Sequence, residues 1–165
     1  MTASTEENKA LVRRYEEEVF TRKNLAAVDD FVAPTHVDHT LPPSLPPGRE
    51  GTRQAISMYL KAFPDLSITV EDVIAEGDKV VTRFTSRGTQ RGAFGPIPAT
   101  GRQVTISTVD IVRIADGKIV EEWGLDDRMG LLQQLGVIPA LLGTVFLVGL
   151  ATGAAVMALV RRIAR

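Results

Sequence analysis

The chain of 165 residues has no cysteine. Disulfides, thiolate metal sites and cysteine nucleophiles are therefore excluded. Aromatic residues are scarce, with one Trp and two Tyr, so each one that faces a site is informative. Excess positive charge is also missing. Before Val137 there are 16 basic and 20 acidic residues, and no basic stripe marks a nucleic-acid face. The opening MTASTEENKA is polar and lacks an apolar h-region, so no signal peptide is expected. No P-loop, dinucleotide fingerprint or G-x-S-x-G elbow occurs. The glycines of 92–101 do not lead into a helix, which argues against a phosphate cradle. No repeat or low-complexity tract is present.

What the chain has instead is a run without charge, Val137 to Val160, followed by Arg161, Arg162 and Arg165. As a helix, Ala140–Val160 would be roughly 31 Å long at about 1.5 Å per residue, matching a bilayer core of about 30 Å. It has no polar stripe. The expectation is a domain over 1–136 and a single-pass C-terminal anchor over 137–165, with lipid around 140–160. The alternative is a helix buried in an oligomer interface. With no signal, the domain is expected to be cytoplasmic, although the basic end would favour that side for itself. Gly149-x-x-x-Gly153, with Ala151 and Ala155, offers a face on which two such helices could pack.

Residues 1–136 read as an α+β domain. Ser4-Thr5-Glu6-Glu7 fits a capping box before an amphipathic helix over about Thr5–Lys23. A short helix through Leu25, Val28 and Phe31 ends at Pro34. Four prolines and two glycines in 35–51 argue against any regular element there. A third helix runs from about Thr52 to Lys61. The period then changes to two over Ser67–Ala75 and Lys79–Gly88, joined at Glu76-Gly77-Asp78, and again over Arg102–Ala115 and Lys118–Leu125, joined at Asp116-Gly117. A last helix covers about Arg128–Leu135. The expected sheet is curved and antiparallel, with four strands and helices on one face.

A two-residue turn at Asp116-Gly117 sets a register. Ile114 then pairs with Ile119, Val112 with Glu121, Asp110 with Trp123, Thr108 with Leu125 and Ile106 with Asp127, all on one mostly apolar face. Asp110, Glu121 and Asp127 would share that face with Trp123. A carboxylate in a partly dry pocket has its pKa raised and can act as acid or base near neutral pH. Structural roles compete. Asp127 precedes a helix and fits an N-cap; Asp110 and Glu121 could pair with Arg83 or Arg113; Trp123 could be core. His36-x-Asp38-His39 has no second ligand cluster, so no metal is expected. His39 fits a polar group at a pocket rim.

The blocks AFPDLSITVEDVIAEGDKVVTRF, SRGTQRGAFGPIPATGRQV, VRIADGKIVEEW and GLLQQLG occur in this order. Over residues 8–138 they resemble the SnoaL-like ester cyclases, the polyketide-cyclase branch of the nuclear transport factor 2 superfamily. The resemblance implies a cone-shaped bent sheet wrapped by N-terminal helices around a deep pocket. It implies ring closure of an aromatic polyketide methyl ester by aldol condensation, with no metal or organic cofactor, and a homodimer. The family's acid/base aspartate corresponds to Asp127 and its loop histidine to His39. Its GTH motif is here Gly88-Thr89-Gln90, and Gln90 can hydrogen-bond but cannot carry a proton at neutral pH.

The resulting expectation is a cyclase or isomerase. Asp127 takes a proton alpha to a carbonyl, and His39 and Gln90 meet the enolate charge. Trp123, Phe84, Ile106, Thr108, Glu121 and Asp110 line the site around a small hydrophobic substrate. On this reading Asp127→Asn abolishes turnover. If the same carboxylate activated water, the result would be a hydrolase. A rival reading is a non-catalytic module that binds a hydrophobic ligand or dimerises, favoured if the Asp127 carboxylate is exposed and spent on the last helix.

Overall fold

The Ser4 hydroxyl accepts from Glu7 N at 3.2 Å, and the Glu7 carboxylate accepts from Ser4 N at 2.7 Å. This capping box starts α1, Thr5–Tyr15, whose Leu11, Val12 and Tyr15 are buried. The computed structural model describes residues 4–138. After α1 the helix widens into a π-turn over Glu16–Thr21. The expected helix through Lys23 therefore ends earlier. Glu16 and Val19, four and seven residues after Val12, continue the buried side of α1. A single 3-10 turn, Leu25–Ala27, leads into α2, Val28–Phe31.

The segment expected to be irregular contains a strand. β1, Val32–Asp38, lies at the sheet edge and pairs parallel with β5, Lys118–Asp126. The four prolines that argue against a regular element, at 42–47, lie beyond it, and Pro34, expected to end a helix, lies within it. At an edge, however, a proline gives up no necessary ladder hydrogen bond, and Pro34 falls where the register shifts between Val32 and Val37. α3, Arg49–Ala62, starts three residues before the expected boundary. β2, Ser67–Glu76, β3, Lys79–Thr89, and β4, Gln103–Ala115, complete the sheet. The strand order is β1-β5-β4-β3-β2. The sheet is thus mixed and five-stranded, where four antiparallel strands were expected. α4, Arg128–Gln134, closes the described fold.

The inner face carries two apolar clusters with a polar band between them. One cluster gathers α1 with Val80, Val112, Ile114 and Ile119. The other joins Phe63, Leu66, Val104, Ile106, Leu131 and Leu135. The strand residues between them are Thr82, Phe84, Thr108 and Asp110, together with part of β5. The loop 91–101 docks on the end of α3. Arg91 N and Gly92 N donate to Ala62 O, and Phe94 packs 4.9 Å from Tyr59 and 5.7 Å from Phe63, centroid to centroid.

No helix among the described residues is long and apolar enough to cross a membrane. The expected anchor, Ala140–Val160 with its basic end, lies outside the described residues.

Candidate active site

The second hairpin begins in the expected register and then leaves it. Ala115 pairs with Lys118 and Ile114 with Ile119, but Arg113 pairs with Glu121. Val120 is left over as a bulge, and every later β5 side chain changes face. Val112 then opposes Glu122, Asp110 opposes Gly124 and Thr108 opposes Asp126. The β4 half of the expected face holds, with Ile106, Thr108, Asp110, Val112 and Ile114 inward. The β5 half is corrected: Glu122, Gly124 and Asp126 face inward, while Glu121, Trp123, Leu125 and Asp127 do not.

The displaced residues have other work. Glu121 accepts from Arg113 Nε at 2.9 Å and sits 3.0 Å from His39 Nε2. The His39 ring stacks on Trp123 with centroids 5.0 Å apart and planes within 7°. Lys79 Nζ lies 5.4 Å from the Trp123 ring. The His39 side chain is 44% exposed. His39, Glu121 and Trp123 thus form an outer-surface cluster and are not a pocket rim or lining. Asp127 is exposed, and its Oδ1 accepts from Gly130 N at 2.8 Å. It is the N-cap of α4. Asn caps as well as Asp does. Asp127→Asn should therefore leave the unfolding free energy within about 0.5 kcal/mol of wild type, and Asp127→Ala should cost about 1 kcal/mol. Urea titration checks both, and loss of ligand binding in the Asn variant would contradict the assignment.

Gln90 is fully buried, but its polar atoms serve a loop. Nε2 donates to Ile97 O at 3.4 Å and Pro98 O at 3.2 Å. Oε1 accepts from Thr100 N at 3.2 Å and Thr100 Oγ1 at 2.6 Å. Two donors and two acceptor positions are used, leaving nothing for an enolate.

The site that forms is carboxyl-rich. Asp110 lies over Gly124, where an added Cβ would sit 2.8 Å from its Oδ1. Burial, then the charges of Asp126 and Asp38, raise the Asp110 pKa to about 7. Burial foremost, then Asp110 and Asp38, push Glu122 well above the usual carboxylate range. Glu16, at the start of the π-turn, rises to about 8 through burial and the charge of Asp110. Asp126 Oδ1 accepts from Thr108 Oγ1 at 3.0 Å, and Asp38 Oδ1 accepts from Thr40 N at 2.7 Å. His36, two residues before Asp38 on the same strand, sets its Nδ1 3.0 Å from Thr52 Oγ1. Its Nε2 is 3.7 Å from Glu122 Oε2. Burial lowers its pKa, so the ring is neutral at pH 7. Tyr59, beside Asp126, is raised by burial to about 12 and keeps its proton. Burial likewise raises Tyr15.

Asp110 and Thr108 are therefore in the site as expected, with Phe84 buried opposite Thr108 as a wall. Ile106 belongs to the apolar cluster at one end. The sequence reading missed Glu16, His36, Asp38, Glu122 and Asp126. A period-two reading of 36–38 would have placed His36 and Asp38 on one face. Nothing in the local pattern announces the π-turn or the bulge. Among the described residues no group of three or more acidic or histidine side chains could hold a metal ion. A cleft of about 350 Å³ opens between the π-turn and β2, lined by Arg13, Glu16, Glu17, Ile68 and Val70.

Raised carboxyl pKa values make stability depend on pH. In the folded state these groups hold protons that the unfolded chain releases near pH 4. Their contribution is complete below that point and is lost as pH rises through about 7 and 8. The melting temperature should fall from pH 6.5 to 9, and Glu16→Gln should flatten that fall. A flat profile in wild type would contradict the buried cluster.

The fold is an α+β one with a curved mixed sheet, N-terminal helices and an inward band of acidic, phenolic and imidazole groups. The model of the SnoaL-like polyketide cyclase family matches residues 9–135. The chain belongs to the SnoaL-like polyketide cyclase family. TsrD from Streptomyces laurentii is 31% identical, with a TM-score of 0.75 over 82% of this chain and 98% of that one. IdmH from Streptomyces antibioticus, a proposed polyketide cyclase, is 35% identical, with a TM-score of 0.63 over 74% of this chain and 94% of that one. AclR from Streptomyces galilaeus, a proposed hydroxylase, is 31% identical, with a TM-score of 0.70 over 81% and 98%. No curated protein matches the chain.

Proposed function

We propose that this chain is a cofactor-independent cyclase or isomerase in which Asp110 is the general base. The observation that carries the reading is a carboxyl group on the inner face whose pKa, about 7, lies where an acid/base catalyst works best. Asp110 removes a proton alpha to a carbonyl of a small, partly apolar substrate. Glu122, which holds its proton at neutral pH, donates to the developing enolate, and Tyr59 is a second neutral donor. When the enolate collapses the proton returns from the enol oxygen to Glu122, beside which the neutral His36 ring lies 3.7 Å away. Phe84 and Ile106 supply the apolar wall. This moves the acid/base role from Asp127 to Asp110 and the partner roles from His39 and Gln90 to His36 and Glu122.

The test is exchange of the α-protons of 1-tetralone in D2O, followed by NMR, beside cyclisation of aromatic polyketide methyl esters. Wild type should accelerate at least the exchange. Absence of both activities would favour the non-catalytic reading, which already gains from the structural use of Asp127 and Gln90. In the same proposal the run 140–160 attaches the domain to a membrane. Two copies join through the outer sheet face, where Ile111 and Leu125 are exposed.

A further inference from the structure

The charges inside the site all have one sign. Glu16 from the π-turn, Asp38 from β1, Asp110 from β4, and Glu122 and Asp126 from β5 lie near enough to act on one another's charge, with Tyr15 of α1, Tyr59 of α3 and His36 of β1 among them. Among the described residues no lysine or arginine forms an ion pair with them, although Arg13 shares a cleft with Glu16 and Arg128 acts on Tyr59 from a distance. The ion pairs of lysine and arginine go to Glu6, Glu17, Glu18, Asp29, Glu50, Asp72 and Glu121, all outside this cluster. Arg113, on the strand that carries Asp110, points to the other face and binds Glu121.

A second observation is independent of charge. Three buried polar atoms in this band have no hydrogen-bond partner: Glu16 Oε2, His36 Nε2 and Thr82 Oγ1. Thr82 is 2% exposed and pairs across the sheet with Asp110. Buried polar atoms are nearly always partnered, so three such atoms in one band leave hydrogen-bonding capacity open to a ligand. Two of them are oxygens able to accept. Solvent reaches the band, since the Glu122 side chain is 18% exposed.

We infer that the ligand of this pocket carries a protonated nitrogen, received by Asp38, Asp110 and Glu122, with Thr82 and Glu16 accepting its remaining hydrogen bonds. An ammonium group brings up to three donors and no acceptor, the complement of what the chain leaves open. It also supplies a counter-charge, so Asp110 gives up its proton more readily when the amine binds, while Glu122 keeps the proton it donates to the enolate. A carboxylate ligand would meet only repulsion here. The inference rests on the reading of Asp110 and Glu122 as the working groups and adds the substrate class: an amine-bearing carbonyl compound.

The test is calorimetric titration of the full-length chain with 2-(aminomethyl)naphthalene, 2-naphthylmethanol and 2-naphthoate at pH 7, in two buffers of different ionisation enthalpy. The amine should bind at least tenfold tighter than the alcohol, and naphthoate should not bind. The apparent enthalpy for the amine should differ between buffers in the sense of proton release. Asp110→Asn and Glu122→Gln should each weaken the amine tenfold or more and leave the alcohol unchanged, while Asp127→Asn changes neither. Equal binding of amine and alcohol, tighter binding of naphthoate, or an unaltered amine affinity in both pocket variants overturns the inference. The tetralone exchange reads the catalytic proposal separately. Exchange lost in Asp110→Asn without any amine preference removes only the substrate class. Amine preference without exchange keeps the substrate class and removes the base.

Discussion

Asp110→Asn should lower the rate of α-proton exchange or cyclisation by about 10²–10⁴-fold, the usual contribution of a positioned general base. The amide fills nearly the same volume above Gly124 and cannot take a proton. Folding should survive, because burial, Asp126 and Asp38 already keep the wild-type carboxyl about half neutral at pH 7. Removing one member of a crowded acidic group relieves repulsion, so the variant should melt no lower than wild type at pH 8. The pH profile carries the sharper signature. In wild type the rate should rise with pH through about 7 as Asp110 ionises. In the Asn variant that limb should vanish, leaving a slow and flatter profile. An unchanged rate, or a lost rate accompanied by a lost fold, would end the assignment.

Gln90→Ala should be the most damaging single substitution for stability, costing about 2–4 kcal/mol. Four hydrogen bonds disappear together, leaving the carbonyls of Ile97 and Pro98 and both donors of Thr100 without their present partner. The main-chain bonds Gln90 N to Arg102 O and Gly101 N to Gln90 O hold the base of the same loop. Once the side chain is gone, loop 91–101 should lift from α3 and release Phe94 from Tyr59 and Phe63. Gln90→Glu should be no better, because a carboxylate would replace two donors with repulsion toward two carbonyls. Limited proteolysis should cut within 91–101 in both variants before wild type. Wild-type melting in either would show that the loop is held elsewhere.

Much of this fold can be read from residue order because its rules are local. The capping box at Ser4, the hairpin turns at Gly77 and Asp116-Gly117, and the alternation along β3 and β4 are each settled within a few residues. β1 is different. Its strand character depends on a partner more than 80 residues later in the chain, and Pro34 masks it. The site divides along the same line. Asp110, Thr108 and Phe84 lie on strands whose alternation is unbroken, and they face inward. Glu122 and Asp126 lie beyond the bulge, and Glu16 lies within the π-turn. For the two strand residues one extra backbone residue changes the facing and no side chain signals it, whereas Glu16 follows the ordinary helical spacing four residues after Val12. Asp127 illustrates the opposite hazard. Its place after the Trp suits catalysis, its place before a helix suits a cap, and only the backbone at Val120 separates the two.

The unpaired Val120 also has a meaning for how such a pocket can change. β5 holds two interleaved sets of side chains, Glu122, Gly124 and Asp126 on one side and Glu121, Trp123 and Leu125 on the other. Losing a single codon at Val120 would exchange the sets without altering another letter of the strand, turning an acid chamber into an aromatic, greasy one. Point substitutions tune this chamber gradually. A one-residue slip would replace its chemistry wholesale, so relatives of similar shape can differ in what they hold by the parity of one strand.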